Sequence, residues 1–239
     1  MTTDVVVRAD DVTGDNVDRF AEWLTTHHPD VPCAAFAMET DRWDDAAWET
    51  AAGLVDEHGW EFGAHTRDHP MLPLLSTAEL REAVTESVRD VEDGLAGAGL
   101  DYEVASFAYP CGDYDERTVR AVREAGLDCG LTYPDGFPYE SCVTVPEGED
   151  RYRWGVTHNA FFGLETWNRR FEYVHERDGC YVLCLHPEWW WDDDGDPEDV
   201  REHWGREEWR TLDDHLEHVR EAGDVRFTTF RDCLARAEA

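Results

Sequence analysis

Short apolar runs alternate with helix-like patterns along the whole chain, and this alternation constrains the fold more than any other feature. Val, Phe, Tyr and Leu are frequent in seven runs, at residues 5–8, 34–38, 60–64, 104–109, 129–133, 181–185 and 225–230. Strands that alternate with helices typically pair as a parallel sheet. The chain of 239 residues is long enough for one sizeable core, so we expect an α/β fold with a single domain over residues 1–239.

Five helices are predicted between these runs. The clearest begins after Ser76, whose hydroxyl can cap the helix while Glu79 completes a capping box, and it ends near Gly97 or Gly99. The others are predicted over residues 17–27, 44–58, 116–125 and 212–222. Two segments, 134–178 and 189–210, show no clear period and are expected to be long loops bordering a site.

The charged residues are strongly unbalanced. Asp and Glu number 55 against 21 basic residues, all of them Arg, and the net charge is −34. Such a charge repels itself at low ionic strength, whereas at molar salt the Debye length falls to about 3 Å and the repulsion largely disappears. The composition therefore predicts a halophilic protein and argues against DNA or RNA as a partner.

Cysteine usage and apolar segments bear on the cellular compartment. The seven Cys form no CxxC pair and several lie in apolar runs, so buried free thiols are expected rather than disulfides. The N-terminus shows no basic region followed by an apolar stretch, so no export signal is expected, and no run reaches the roughly 18 apolar residues of a membrane span. We therefore predict a cytoplasmic protein with no membrane span.

Three of the apolar runs are followed by residues of the types that bind metals. Asp10 and Asp11 follow the first run, His65 and His69 the third, and His186 the sixth. Strand ends are where α/β enzymes place their catalytic groups. The two imidazoles at 65 and 69 and one of the two aspartates suit a single divalent ion, Zn before Co, Ni, Fe or Mn, with one position left open.

These residues also have the chemistry that hydrolysis requires. One aspartate can hold the ion while the other takes a proton from water, and His186 can protonate a leaving group from the other side. The reaction expected is hydrolysis of an acyl or amide bond. His215 and His218, one helical turn apart, are interpreted as a solvated helix face rather than a second metal site.

Four motifs, in the same order over most of the chain, resemble those of the polysaccharide deacetylases, which form carbohydrate esterase family 4 and are related to the Nod-factor deacetylases. The motifs are Asp10-Asp11, His65-Thr66-Arg67-Asp68-His69, the segment FAYPCGDYD at 107–115 and the segment LCLH at 183–186. The second is the most specific of the four.

The resemblance implies a distorted, incomplete TIM-like (β/α)7 barrel with a single domain. It implies that a metal is held by Asp11, His65 and His69, and that Asp10 is the base, His186 the acid and the backbone N–H of Cys111 the oxyanion donor. The implied reaction removes acetyl groups, N-acetyl more than O-acetyl, from an acetylated sugar or oligosaccharide.

The chain departs from the family pattern at three places. Ala108 stands where many members have an Arg that orients the catalytic aspartate, and Ala9 stands where Phe or Tyr is usual. Arg8 lies two residues before Asp10 on the same strand face, so we expect its guanidinium to take over the orienting role. The motif that normally supplies a carboxylate partner for His186 is not found.

Tyr109, Pro110 and Trp189 are further candidates for orienting or contacting substrate. The Trp189 indole can stack on a sugar ring, although packing or a subunit contact explains it equally well. Two other functions remain open. One is hydrolysis of a non-sugar cyclic amide or ureide; the other is weakly catalytic carbohydrate binding on the same fold, which the residue change at 108 favours.

Overall fold

The structure, a computed structural model, describes residues 2–133, 140–159, 163–187 and 205–238. Trp189 and most of the Trp-rich segment that was predicted as a loop lie outside the described residues.

The strands of the described residues form one parallel sheet. They are β1 (Thr3–Val12), β2 (Cys33–Ala37), β3 (Glu61–Ala64), β4 (Ser106–Ala108), β5 (Cys129–Thr132), β6 (Trp154–Gly155), β7 (His158–Asn159), β8 (Cys180–Leu185) and β9 (Val225–Phe227). Their order is β6-β5-β4-β3-β2-β1-β8-β7, and β9 pairs with the start of β1. Because only two residues separate β6 from β7, the two edges lie close together and the sheet is a nearly closed barrel.

The helices of the described residues cover the outside of this sheet, except the last one, which closes one end of the barrel. They are α1 (Val17–His27), α2 (Asp45–His58), α3 (Thr77–Gly97), α4 (Glu116–Glu124), α5 (Leu164–His175), α6 (Gly205–Ala222) and α7 (Phe230–Ala237). The capping box of α3 is confirmed, since Glu79 N–H donates to Ser76 Oγ at 3.4 Å and Ser76 N–H donates to Glu79 Oε2 at 2.9 Å. The α/β class and the distorted (β/α)7 barrel are confirmed, whereas the single domain over 1–239 stays a prediction.

Two sequence predictions about the C-terminal half are wrong. The segment 134–178, predicted as a loop, contains β6, β7 and α5. The apolar stripe of α5 is short, and its buried residues are Trp167, Phe171 and Val174. The run 225–230 is not one strand, because β9 ends at Phe227 and the Thr229 side chain caps α7. Both errors come from weak periods: α5 has few buried apolar residues, and β9 has only three residues.

Alternate residues of β1 face opposite sides of the sheet and so separate two cores. Val5 and Val7 pack outward against the helices, while Val6 faces the barrel interior. Arg8 and Asp10 have the same parity as Val6, so the strand carries their side chains inward. The interior is therefore apolar near the start of β1 and charged near its end.

Helix α7 closes the N-terminal end of the barrel. Its Phe230 ring lies 6.2 Å from Phe36 and 4.9 Å from Trp154, measured between ring centroids. Beside it the buried Glu61 carboxylate accepts from Ser106 Oγ at 2.6 Å and from the backbone N–H of Arg231 at 3.0 Å. Burial raises the pKa of Glu61, and both carboxylate oxygens have a donor, which is a structural arrangement.

The cysteine prediction is confirmed: all seven thiols are free, and all are buried except that of Cys111. No helix of the described ranges has both the length and the apolar character of a membrane span.

Candidate active site

The predicted catalytic and metal-binding residues meet at the C-terminal end of the barrel. Asp10 and Asp11 lie near the end of β1, His65 directly follows β3, Cys111 follows β4, and His186 directly follows β8. The imidazole of His69 joins them from the turn after β3. Parallel strands place these side chains at one edge because their carboxyl ends all lie there.

Two adjacent aspartates reach the same site because the end of β1 is irregular. The pairing of β1 with β2 shifts register between Ala9 and Val12, and Asp11 has a left-handed φ of 55°. A regular strand would send neighbouring side chains to opposite faces, whereas a bulge redirects one of them. The Nδ2 of Asn16 donates to the Asp11 carbonyl at 3.2 Å and supports this turn.

Left-handed backbone is concentrated at this end of the barrel. Asp11, Thr66, His69 and Cys111 have φ values of 55°, 67°, 47° and 58°. A non-glycine residue in this region costs on the order of 1–3 kcal/mol, and such strain is typical of functional sites. The hydrogen bond from Thr66 N–H to the buried Ser87 Oγ, 2.8 Å long, helps to hold the turn after β3.

Asp11, His65 and His69 form a group that fits a divalent metal ion. Asp11 Oδ1 lies 3.1 Å from His65 Nε2 and 3.5 Å from His69 Nε2. His65 Nδ1 lies 2.8 Å from the Ala108 carbonyl, which can only accept, so the neutral ring turns the lone pair of Nε2 toward the carboxylate. Two acceptors this close need a proton or a cation between them. The Ala108 carbonyl also fixes the tautomer, as outer partners of metal-bound histidines do.

Arg8 holds Asp10 in a buried two-point ion pair. Its Nε and Nη2 donate to the two Asp10 oxygens at 2.6 Å each, and its Nη1 lies 3.4 Å from the Thr132 carbonyl. Burial alone would raise the pKa of Asp10, but the Arg8 guanidinium, together with the imidazoles of His65 and His186, lowers that pKa. Asp10 is therefore ionised, and its remaining lone pairs are available to accept a proton.

His186 faces the same centre from β8. Its Nε2 lies 4.0 Å from Asp11 Oδ2, and the Tyr133 hydroxyl lies within hydrogen-bond distance of the ring. Burial lowers the pKa of His186, although Asp10 and Asp11 oppose this. The ring thus lies beside both carboxylates, with one nitrogen within 4.8 Å of an Asp10 oxygen.

Asp10, Cys184 and His186 also offer three ligand atoms close together. Both oxygens of Asp10 already accept from Arg8, and a cation there would lie against a guanidinium that is fully buried. Like charges at short range in a buried environment repel strongly. This second group is therefore a poor metal site.

The turn that carries Cys111 is locked to the end of β5. Gly112 N–H donates to the Tyr109 carbonyl at 2.8 Å, and Thr132 Oγ1 donates to the Gly112 carbonyl at 2.6 Å. Partial burial and the carboxylates of Asp113 and Asp11 raise the pKa of the Cys111 thiol, which disfavours a thiolate. The geometry is thus consistent with a backbone role for Cys111.

Tyr109 and Pro110, predicted as substrate contacts, lie in the wall beneath this turn. The Tyr109 side chain is 1% exposed and its hydroxyl donates to the Tyr152 carbonyl at 2.8 Å. The absence of a side chain at Gly130 makes room for that hydroxyl. Pro110 is buried as well, so packing, rather than contact through their side chains, describes both residues.

Sequence reasoning missed two residues that line the site, Tyr133 and Cys184. Cys184 lies two residues before His186 and pairs with Arg8 in the β1–β8 register, so strand parity would have placed it in the interior. Tyr133, the residue after β5, has the parity of Cys129 and Leu131, which face the interior, so strand parity would have placed it there too.

A parallel barrel that gathers two histidines, two aspartates and a further histidine at the carboxyl ends of its strands has the architecture of α/β-barrel hydrolases. Residues 3–130 match the sequence profile of the family described as polysaccharide deacetylase. This match covers more than half of the chain, and the chain belongs to that family. Membership supports hydrolase activity and deacetylation of a carbohydrate.

Solved structures show the same fold at low sequence identity. A family 4 carbohydrate esterase from Bacillus anthracis has 16% identity and a TM-score of 0.61 over 98% of this chain and 83% of its own. The family 4 esterase from Streptomyces lividans, solved in complex with acetate, has 11% identity and a TM-score of 0.60 over 93% and 90%.

A pseudoenzyme of the same family is also similar. This Bacillus anthracis protein has 17% identity and a TM-score of 0.56 over 94% of this chain and 67% of its own. No curated protein sequence matches the chain. The fold alone therefore does not establish turnover, which depends on the residues of the site.

Proposed function

We propose that this protein is a metal-dependent hydrolase that removes acetyl groups, N-acetyl in preference to O-acetyl, from a carbohydrate or glycan precursor. The observation that carries this proposal is the convergence of Asp11, His65 and His69 beside the ion-paired Asp10. Family membership and the acetate complex of the Streptomyces lividans esterase support the acetyl group as the part removed.

Asp11, His65 and His69 would hold the ion, with Zn the first candidate and Co, Ni, Fe or Mn as alternatives. When bound, the ion supplies Lewis acidity, which polarises the acetyl carbonyl and makes water easier to deprotonate.

Asp10 takes the proton of the attacking water in this proposal. Arg8 keeps the carboxylate ionised and fixes its plane through two hydrogen bonds, so Arg8 fills the position that Ala108 leaves vacant relative to the family pattern. The same guanidinium weakens Asp10 as a base. The main contribution of the ion pair is therefore the orientation of the Asp10 carboxylate, rather than its basicity.

His186 donates a proton to the departing nitrogen, and the backbone N–H of Cys111 stabilises the negative charge that develops on the acetyl oxygen. An amine leaves an acetyl centre readily only once it is protonated, so an acid in addition to the base suits an N-acetyl group. The products are acetate and a free amine on the sugar.

A second candidate is carbohydrate binding with little turnover. Its support is Ala108 and the similar pseudoenzyme. The intact Arg8–Asp10 pair argues for turnover, because it supplies in another way what Ala108 lacks.

Acetate release from acetylated chitooligosaccharides and N-acetyl sugars, in molar salt with added Zn or Co, tests the proposal. We expect release by the wild type, and a loss of about 10²–10⁴-fold in Asp10→Asn, the usual contribution of a general base. His65→Ala should lose both activity and bound metal, measured by elemental analysis. His218→Ala is the matched control, because it removes a histidine of α6 that pairs with Glu172.

Circular dichroism must show that each variant is folded. Release that persists in folded Asp10→Asn would contradict the assigned base. Metal binding without acetate release would favour the binding protein, and turnover of a cyclic amide or ureide in the same sample would identify the other hydrolase.

A further inference from the structure

The turn after β3, residues 65–69, carries two of the proposed metal ligands on a strained backbone. Thr66 and His69 have left-handed φ values of 67° and 47°. Non-glycine residues keep such a conformation only where the surrounding contacts hold it. The ring of His65 is buried and lies 2.8 Å from the Ala108 carbonyl, whereas the side chain of His69 is 30% exposed. The position of the second ring therefore depends more on the backbone of the turn.

Arg67, in the middle of this turn, binds it to helix α3. Its Nε and Nη2 donate to the two oxygens of Asp90 at 2.5 and 2.6 Å, and its Nη1 donates to Glu86 Oε2 at 2.9 Å. Two parallel hydrogen bonds between a guanidinium and a carboxylate fix a direction as well as a distance. The hydrogen bond from Thr66 N–H to Ser87 Oγ reaches the same helix. Two consecutive residues of the turn are thus attached to α3.

Asp90 also connects the turn after β3 to the turn after β2. Thr40 Oγ1 donates to Asp90 Oδ2 at 2.7 Å, and the backbone N–H of Glu39 donates to the Arg67 carbonyl at 3.2 Å. Glu39 has a left-handed φ of 51° as well. One carboxylate on a regular helix therefore fixes two strained turns relative to each other.

The exposure of this ion pair limits what it contributes to the stability of the whole fold. The side chain of Arg67 is 35% exposed, and exposed ion pairs contribute little to the free energy of unfolding. The geometry of the pair, by contrast, restricts the turn, because the guanidinium is held at two points and its acceptor also binds Thr40. We therefore expect the pair to affect the shape of the turn more than the stability of the fold.

We propose that Arg67 and Asp90 are positioning residues for the metal ligands. Their ion pair keeps the turn after β3 in the conformation that directs His65 and His69 toward Asp11. This inference rests on the metal group of the proposed function. A turn that already has the binding conformation does not have to be ordered by the ion, so the apparent affinity for the ion is higher. The pair thus raises metal affinity and takes no part in the chemical step.

The dissociation constant for Zn, measured by competition with a chromophoric chelator in molar salt, tests this role in Arg67→Met. Methionine keeps an unbranched stem and removes the guanidinium. We expect the constant to rise about tenfold, the lower end of the range for outer partners of metal-binding histidines, because Arg67 acts through the backbone. Acetate release that is lost at limiting Zn should be recovered in excess Zn. An unchanged dissociation constant, or activity that excess Zn does not recover, would overturn the proposal.

Arg81→Met is the matched control. Arg81 lies on α3, and its Nη2 donates to Glu124 Oε2 of α4 at 2.7 Å. The variant loses the same kind of ion pair from the same helix, but at α4 rather than at the turn after β3, so we expect no change in the affinity for Zn. A rise in the dissociation constant as large as that of Arg67→Met would refute a specific role for Arg67.

A double-mutant cycle with Asp90→Leu shows whether the two residues act as a unit. If they do, Arg67→Met should change the Zn affinity of the Asp90→Leu protein by less than about twofold, within the error of additive sites. A full additional loss would mean that Arg67 acts without Asp90, and it would overturn the assignment of the pair.

Hydrogen exchange of the metal-free protein separates this inference from the proposed function. The amides of residues 66–69 should exchange faster in Arg67→Met, while those of β1 and of the interior of α3 keep their wild-type rates. This pattern, with weaker Zn binding and a wild type that releases no acetate, would refute the deacetylase and keep the positioning role. An active wild type whose turn exchanges no faster in Arg67→Met would do the reverse. A wild type that binds no divalent ion would refute both.

Discussion

At the N-terminal end of the barrel the Glu61 carboxylate accepts from Ser106 and from Arg231, whereas at the C-terminal end Asp11 faces two imidazole nitrogens. Both carboxylates are largely buried. The first has a donor for each oxygen in the protein itself. The second faces groups that are acceptors when neutral, so its environment is complete only with a proton or a cation.

The two ends also differ in their backbone. Asp11 itself has a left-handed φ, as do Thr66, His69 and Cys111 at the same end, while Glu61 is the first residue of the strand β3 and the left-handed residues at its end of the barrel are Asp178 and Asp224. A buried carboxylate thus indicates function only when its partners and its backbone are taken together. Substitutions at the two ends of the barrel test this contrast.

Removing salt should have the largest effect, because it acts on the acidic surface and not on either end. At about 0.01 M salt the Debye length is about 30 Å, so the charge of −34 repels over much of the molecule. We expect loss of the far-ultraviolet circular dichroism on dilution from molar salt. Sucrose, which does not screen charge, is the control, and a fold equally stable at both ionic strengths would refute a halophilic protein.

Arg8→Met should cost about 3–5 kcal/mol in the free energy of unfolding, because it leaves the Asp10 charge buried without its partner. The double variant with Asp10→Asn removes both charges and should regain most of this stability without regaining acetate release. Denaturant unfolding and the acetate assay measure the two effects. If the double variant is no more stable than Arg8→Met, the pair does not act as a unit.

Glu61→Leu should destabilise the N-terminal end by about 1–3 kcal/mol, because the Ser106 hydroxyl and the Arg231 N–H lose their acceptor. Turnover of the remaining folded enzyme should equal that of the wild type, since Glu61 lies at the opposite end of the barrel. A loss of activity as large as that of Asp10→Asn would contradict the distinction between the two ends.

Glu61→Gln should have the smallest effect and should show it as a pH dependence. The pKa of Glu61 is raised from 4.5 by burial, so the native state binds this proton more tightly than the unfolded chain. Stability from this group is full below 4.5 and is lost as the pH rises through the folded pKa. The Gln variant should lack that decline. If the free energy of unfolding changes with pH in the same way in both proteins, the assignment of the decline to Glu61 is wrong.

Much of the site could be predicted because it depends on local rules. Asp10, Asp11, His65 and His186 each follow an apolar run, and strand parity alone placed Arg8 beside Asp10. These inferences need only a strand and its direction. The barrel order then brings the ends together.

Residues that act through distant neighbours could not be predicted. Strand parity places Tyr133 in the interior, but it does not reveal the contact with His186, 53 residues away. His215, predicted on a solvated helix face, is buried instead, with Nδ1 at 2.7 Å from Asn168 Oδ1. Asn168 lies on α5, the helix that the sequence did not reveal, so the missing element concealed the contact.

The position of β1 in the middle of the sheet has a consequence for folding. Val5 pairs with Tyr181 on β8 and with Phe227 on β9, so this strand is completed by residues far along the chain. Contacts of such sequence separation form slowly, because the loop must close before they stabilise it. Refolding measured by the recovery of enzymatic turnover should therefore be slower than refolding measured by the recovery of the helix signal.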